Sequence, residues 1–176
     1  MNQLADTLAT LRPEARDLVR GVIGIWTDEY FQKEKEACPT LFFIGDQGTK
    51  VIPVPNEMMS DEKKPTLWSA IAQMRRAFLS VAFISEVWMA KCGKEDLNAD
   101  GTVKVMPRDN PKKAEWIMLN LWEGRRNITF HAEITRNPTK LGEWGVLFDS
   151  AFPQKGGPDS LGGRMMDGEP CALEGN

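Results

Sequence analysis

The sequence predicts an α+β fold: a mostly antiparallel sheet of about five to six strands, with two main helices packed on one of its faces. Two stretches of helical period, several stretches of two-residue period, and short turn-forming links between consecutive strands carry that prediction. The resulting order is helix, hairpin, helix, then antiparallel strands.

The first helix is expected from about Pro13 to Lys35. Pro13 suits its first turn, Glu14 and Asp17 suit its positive end, and Ala15, Leu18, Val19, Val22, Trp26 and Tyr30 recur at helical spacing. Ile23 and Ile25 widen the apolar surface. Gly21 and Gly24 weaken the helix by roughly 1 kcal/mol each and are expected to admit another element at close range.

Thr40 to Ile44 and Lys50 to Val54 read as two strands joined by the turn Gly45-Asp46-Gln47-Gly48. Pro53 and Pro55 cannot donate ladder hydrogen bonds, which puts the second strand at an edge. Pro65 then opens a helix to about Phe78, whose buried face is marked by Leu67, Ile71, Met74 and Phe78. From Leu79 to Met89 both alternating sets are largely apolar, as in a central strand. Residues 91 to 113 form a connection rich in charge, glycine and proline. Ala114 to Trp122 and Asn127 to Arg136 make a second hairpin around Glu123-Gly124-Arg125-Arg126, and a last strand lies near Trp144 to Phe148. This element order resembles profilin-like and roadblock-like domains in architecture, with no motif of either family and no function carried over.

A chain of 176 residues with 41% hydrophobic and 27% charged residues can bury one substantial core, which assigns residues 1–149 to a single domain. Residues 150–176 hold Gly156, Gly157, Gly162, Gly163, Gly168 and Gly175 with Pro153, Pro158 and Pro170, and are expected to form a flexible tail cut first between Lys155 and Arg164. No apolar run is long enough to span a bilayer, and the start of the chain has neither the basic nor the apolar segment of a secretory signal. Cys38, Cys92 and Cys171 form no close pair, which fits a reducing compartment, so a cytoplasmic location is expected.

A net charge of −3, from 25 acidic and 22 basic residues, provides no overall field for a phosphate backbone. The local basic pairs Arg75-Arg76, Lys112-Lys113 and Arg125-Arg126 are read as surface charge, so nucleic acid is not the expected partner. Asp96, Asn98, Asp100, Gly101 and Val103 match the first half of an EF-hand calcium loop. Pro107 stands where the closing bidentate glutamate belongs, so the segment is expected to be an Asp-Gly turn without a calcium site.

His131 is the one histidine, which excludes a zinc site with two histidine ligands from one subunit, and the scattered cysteines offer no paired ligands. No cofactor is expected. A catalytic pairing of His131 with Cys38 or Cys92 requires convergence to about 2.6–3.2 Å. Glu86, Glu115 and Glu133 can form a carboxylate pair only if the strands bring them to one face. These residues define the alternative function, a small-ligand enzyme or hydrolase using carboxylates or a thiol near residues 91–113.

The stronger pattern is aromatic. Trp116, Met118, Asn120 and Trp122 share one face of their strand, and Ile117, Leu119 and Leu121 share the other. With the aliphatic set against the helices, the tryptophan row is free for an interface. The expected function is therefore a noncatalytic protein-binding or assembly module acting through its sheet face, a homo-oligomer whose simplest form is a homodimer, with a protein partner whose identity the sequence leaves open.

Overall fold

The computed structural model describes residues 3–25, 31–34, 38–90, 96, 98–99 and 104–151, without the side chains of Glu34 and Arg108. Its helices are α1 (Gln3–Ala9), α2 (Pro13–Ile25), α3 (Phe31–Glu34) and α4 (Lys64–Met74). Its strands are β1 (Thr40–Gly45), β2 (Gly48–Pro53), β3 (Ser80–Ala90), β4 (Lys113–Glu123), β5 (Arg126–Arg136), β6 (Thr139–Leu141) and β7 (Gly145–Asp149). The α+β class and the antiparallel sheet are as the sequence predicts.

All seven strands join one sheet in the order β2-β1-β3-β4-β5-β6, and β7 also pairs with β5. Every pairing is antiparallel. β3, β4 and β5 are eleven residues each and form the spine of the sheet. The link between β4 and β5 is two residues long, and Gly124 within it has φ 60°, a left-handed conformation that glycine adopts without a Cβ penalty.

Because side chains alternate across a strand, two distinct cores form. Phe42 and Ile44 of β1, Ala82 and Ile84 of β3, Ile117, Leu119 and Leu121 of β4, and Ile128 and Phe130 of β5 pack against Leu8, Leu11, Ala15, Val19, Val22 and Phe31 from the amino-terminal helices. On the opposite face, Leu41, Phe43, Val81, Phe83 and Trp122 pack against Leu67 and Ile71 of α4. The helices therefore cover both faces, which corrects the expectation of two helices on one. The cause is legible in β1 and β3. Both of their faces are apolar over the same residues, so each face requires its own layer.

α2 is described as far as Ile25, one residue after Gly24, and α3 begins at Phe31. The expected run to Lys35 crosses residues 26–30 and ends on residue 35, which lie outside the described residues, Trp26 and Tyr30 among them. Among the described residues a Cβ built at Gly21 or Gly24 meets nothing within 4 Å, so no described element makes the close approach expected at either glycine. α4 stops at Met74, short of Phe78, and Phe78 packs instead on Phe43 with ring centroids 5.1 Å apart.

Two polar contacts fasten the amino-terminal helices to the end of the sheet. The Arg12 amide, just ahead of α2, donates to Glu123 Oε1 on β4 at 3.0 Å. Arg126 on β5 grips Asp149 on β7 through Nε at 2.9 Å and Nη2 at 2.6 Å, and its Nη1 reaches the Thr10 carbonyl at 3.5 Å. Asp149 is 1% exposed, so the guanidinium compensates a buried carboxylate.

Candidate functional site

The period of two in β4 places Trp116, Met118, Asn120 and Trp122 on one face, as expected, and the register shows what surrounds each. Trp122 lies opposite Val81, Asn120 opposite Phe83, Met118 opposite Ser85 and Trp116 opposite Val87. On the other side, Met118 faces His131 and Trp116 faces Glu133.

The row divides into two parts. Trp122 is 3% exposed, buried in the α4 cluster, with Trp68 at 6.4 Å between ring centroids and the Arg75 guanidinium 5.4 Å from its ring centre. Asn120 is also buried, and its Oδ1 accepts a hydrogen bond from the Thr129 hydroxyl at 3.1 Å. Trp116 and Met118 are half-buried and belong to neither core cluster. Trp122 and Asn120 therefore serve the fold, while Trp116 and Met118 keep part of their surface exposed.

Around Trp116 the face continues with half-buried Val87 and Met89 of β3, His131 of β5 and Phe148 of β7. The His131 ring stacks on Trp116 with centroids 4.8 Å apart and planes tilted by 46°. Gly145 makes room for that ring, since a Cβ there comes within 3.2 Å of His131 Nε2. Nδ1 of His131 is buried without a hydrogen-bond partner, and burial lowers the imidazole pKa below its ordinary 6.5. The neutral ring thus behaves as part of an apolar, aromatic and thioether-rich surface. On the same face of β5 Thr129 is fully buried between strands, while Glu133 is exposed, as is Thr135.

The carboxylate candidates separate by face. Glu86 and Glu115 come together on the face of the amino-terminal helices, beyond the core, and Glu133 projects from the other. Arg136 bridges the pair: its Nε donates to Glu115 Oε2 at 2.7 Å, its Nη2 contacts Glu115 Oε1, and the same Nη2 reaches Glu86 Oε2 at 3.2 Å. Hydrogen bonding from Arg136 is the largest influence on Glu115 and lowers its pKa against the opposing effect of burial. A carboxylate held ionised in this way is poorly suited to general-acid chemistry. Beside the triad, the Lys113 ammonium sits 4.6 Å from the centre of the Trp88 ring.

The thiol candidates do not meet the histidine. Cys38 precedes β1, three strand spacings of about 4.8 Å from β5, which puts it on the order of 14 Å from the His131 column. Cys92, Cys171 and most of the calcium-like loop, including Asp100, Gly101 and Val103, lie outside the described residues, as does the expected tail beyond Ala151. Among the described residues no group of three histidine, cysteine or acidic side chains is placed to hold a metal. A shallow cavity of about 260 Å³ between the start of α2 and the ends of β1 and β3 is lined by none of Glu86, Glu115, Glu133, Cys38 and His131. Arg75 and Arg126, read from sequence as surface charge, make internal contacts with Trp122 and Asp149. No described helix is long and apolar enough to cross a membrane. Comparison with protein-family models, with curated proteins and with solved structures finds no match to this chain.

Proposed function

We propose that this chain is a noncatalytic assembly module that pairs with a second copy of itself through the part of the sheet centred on Trp116 and Met118. One observation carries the reading: the aromatic and thioether side chains of that patch continue a core face but join neither core. Large rigid rings and methionine are the residue types that concentrate binding energy at protein interfaces, and an apolar patch of this kind marks contact surfaces. A two-fold contact also doubles the patch, so each tryptophan meets an apolar surface like its own. The reading includes a cytoplasmic location, to which the unpaired spacing of the cysteines lends support, and it includes no nucleic-acid partner.

Light scattering at micromolar concentration tests the proposal. The wild-type chain is expected to show a mass above its 19.8 kDa. Trp116→Ser is expected to return it to the monomer with its circular dichroism preserved. A monomeric wild-type protein, or a Trp116→Ser protein that assembles unchanged, overturns the reading.

A further inference from the structure

We propose that the outer edge of β2 is a second self-association site, where two copies pair β2 against β2 antiparallel and in one register, Val51 opposite Val51. The site is independent of the Trp116 patch and lies at the far side of the sheet.

The two edges of the sheet differ. The edge beyond β5 is divided between β6, of three residues, and β7, of five, and a register shift at Thr129 and Phe130 interrupts the β7 pairing. Breaks of that kind blunt an edge. β2 is six residues long, pairs with β1 without a shift, and is exposed throughout. Among the described residues no strand pairs with its outer side. Val51 at 56% and Ile52 at 46% exposure put apolar side chains on both of its faces.

Its hydrogen-bonding pattern fixes what fits. The Val54 amide donates to the Pro39 carbonyl at 2.7 Å, which makes Val54 and Pro39 a hydrogen-bonded pair in the same register as the rest of the hairpin. Such pairs alternate along an antiparallel ladder, so Ile52, Lys50 and Gly48 turn their backbone groups toward β1. Thr49, Val51 and Pro53 turn theirs outward. The outward set is two donors, on Thr49 and Val51, and three carbonyl acceptors.

A two-fold axis perpendicular to the sheet admits only registers that keep each residue on its own face. With Val51 opposite Val51, the two valines exchange both hydrogen bonds, and each Thr49 amide donates to the Pro53 carbonyl across the axis. The N–H that proline lacks is then missing only at the rim, and Lys50 lies opposite Ile52. Moving the register one step one way sets Lys50 directly against Lys50, where like charges repel. One step the other way sets Val51 against Pro53 and removes both central reciprocal bonds.

Two six-residue edges cannot bury the roughly 1,200–2,000 Å² of a standard stable interface, so the pairing is weak and reversible. Combined with the Trp116 contact, it carries assembly beyond the dimer.

Amide exchange by NMR tests the site in the unaltered chain. As protein concentration rises, the Thr49 and Val51 amides are expected to slow severalfold while Lys50 and Ile52, already bonded to β1, keep their rates. Concentration-independent rates at Thr49 and Val51 overturn the proposal. A second test fixes the register in a Trp116→Ser chain whose three cysteines are changed to serine. Mixing Lys50→Cys and Ile52→Cys versions under copper phenanthroline is expected to give mixed disulfide dimers at least tenfold faster than either version alone. Equal rates for mixed and single versions contradict the register. Because Trp116 is absent from the second test, its failure and the failure of the sheet-face reading are distinguishable.

Discussion

Replacing Arg126 by alanine leaves the Asp149 carboxylate, 1% exposed, without its guanidinium. The bond is bidentate, at 2.9 and 2.6 Å, so two charge-assisted hydrogen bonds disappear together. What remains for Asp149 is the Ala151 amide, which donates to Oδ1 at 3.0 Å. Breaking a buried ion pair from one side costs about 3–5 kcal/mol. For a chain of this length that corresponds to a fall in melting temperature of roughly 6 to 20 °C. Urea denaturation of Arg126→Ala, Asp149→Ala and the double variant gives the coupling directly. The single arginine loss is expected to be worse than the double variant, since removing both partners leaves no stranded charge. An Arg126→Ala protein within about 1 kcal/mol of wild type would refute the reasoning, because Asp149 would then be solvated or bonded elsewhere.

Trp122→Ala is expected to cost roughly 3–5 kcal/mol because it empties the contact between α4 and the sheet, whereas Trp116→Ala costs distinctly less; chemical denaturation of both below the association range checks the ranking. Burial holds the His131 pKa below 6.5. Between that lowered value and 6.5 the unfolded chain binds a proton the folded chain does not, so stability falls as pH drops through this window, and His131→Gln is expected to flatten that stretch of a stability-versus-pH curve. The bonds from Arg136 lower the Glu115 pKa. Their contribution is complete above the ordinary value near 4.5 and is lost as pH falls from there through the lowered value, so Glu115→Gln is expected to shrink the acid limb of the same curve.

The strands were legible because their signal is local. Alternation in Val81 to Trp88 and in Trp116 to Trp122, together with turn residues at Asp46-Gln47 and Gly124-Arg125, located six of the seven strands to within about two residues at most ends. β6 escaped because three residues carry no period, and α1 because seven residues do not complete a clear helical stripe. The apolar residues on both faces of β1 and β3 announce a layer on each side, and α4 supplies the second. Depth along the tryptophan row was beyond sequence reasoning: Trp116 and Trp122 are equivalent by period, and long-range contacts with α4 and its flank, Trp68 and Arg75 among them, separate them. Likewise, period alone could not reveal that Arg136, two strands away from Glu86, bridges it to Glu115.

Hydroxyl-radical footprinting across a series of protein concentrations tests the sheet-face contact at the residues that define it. Trp116 and Met118 are expected to lose reactivity as the chain associates, while Trp88, 44% exposed beside Lys113 on the other face of the sheet, reacts at a constant rate. Reactivity at Trp116 and Met118 that stays independent of concentration, in samples that light scattering shows to be associating, would contradict the assignment of this face as the contact.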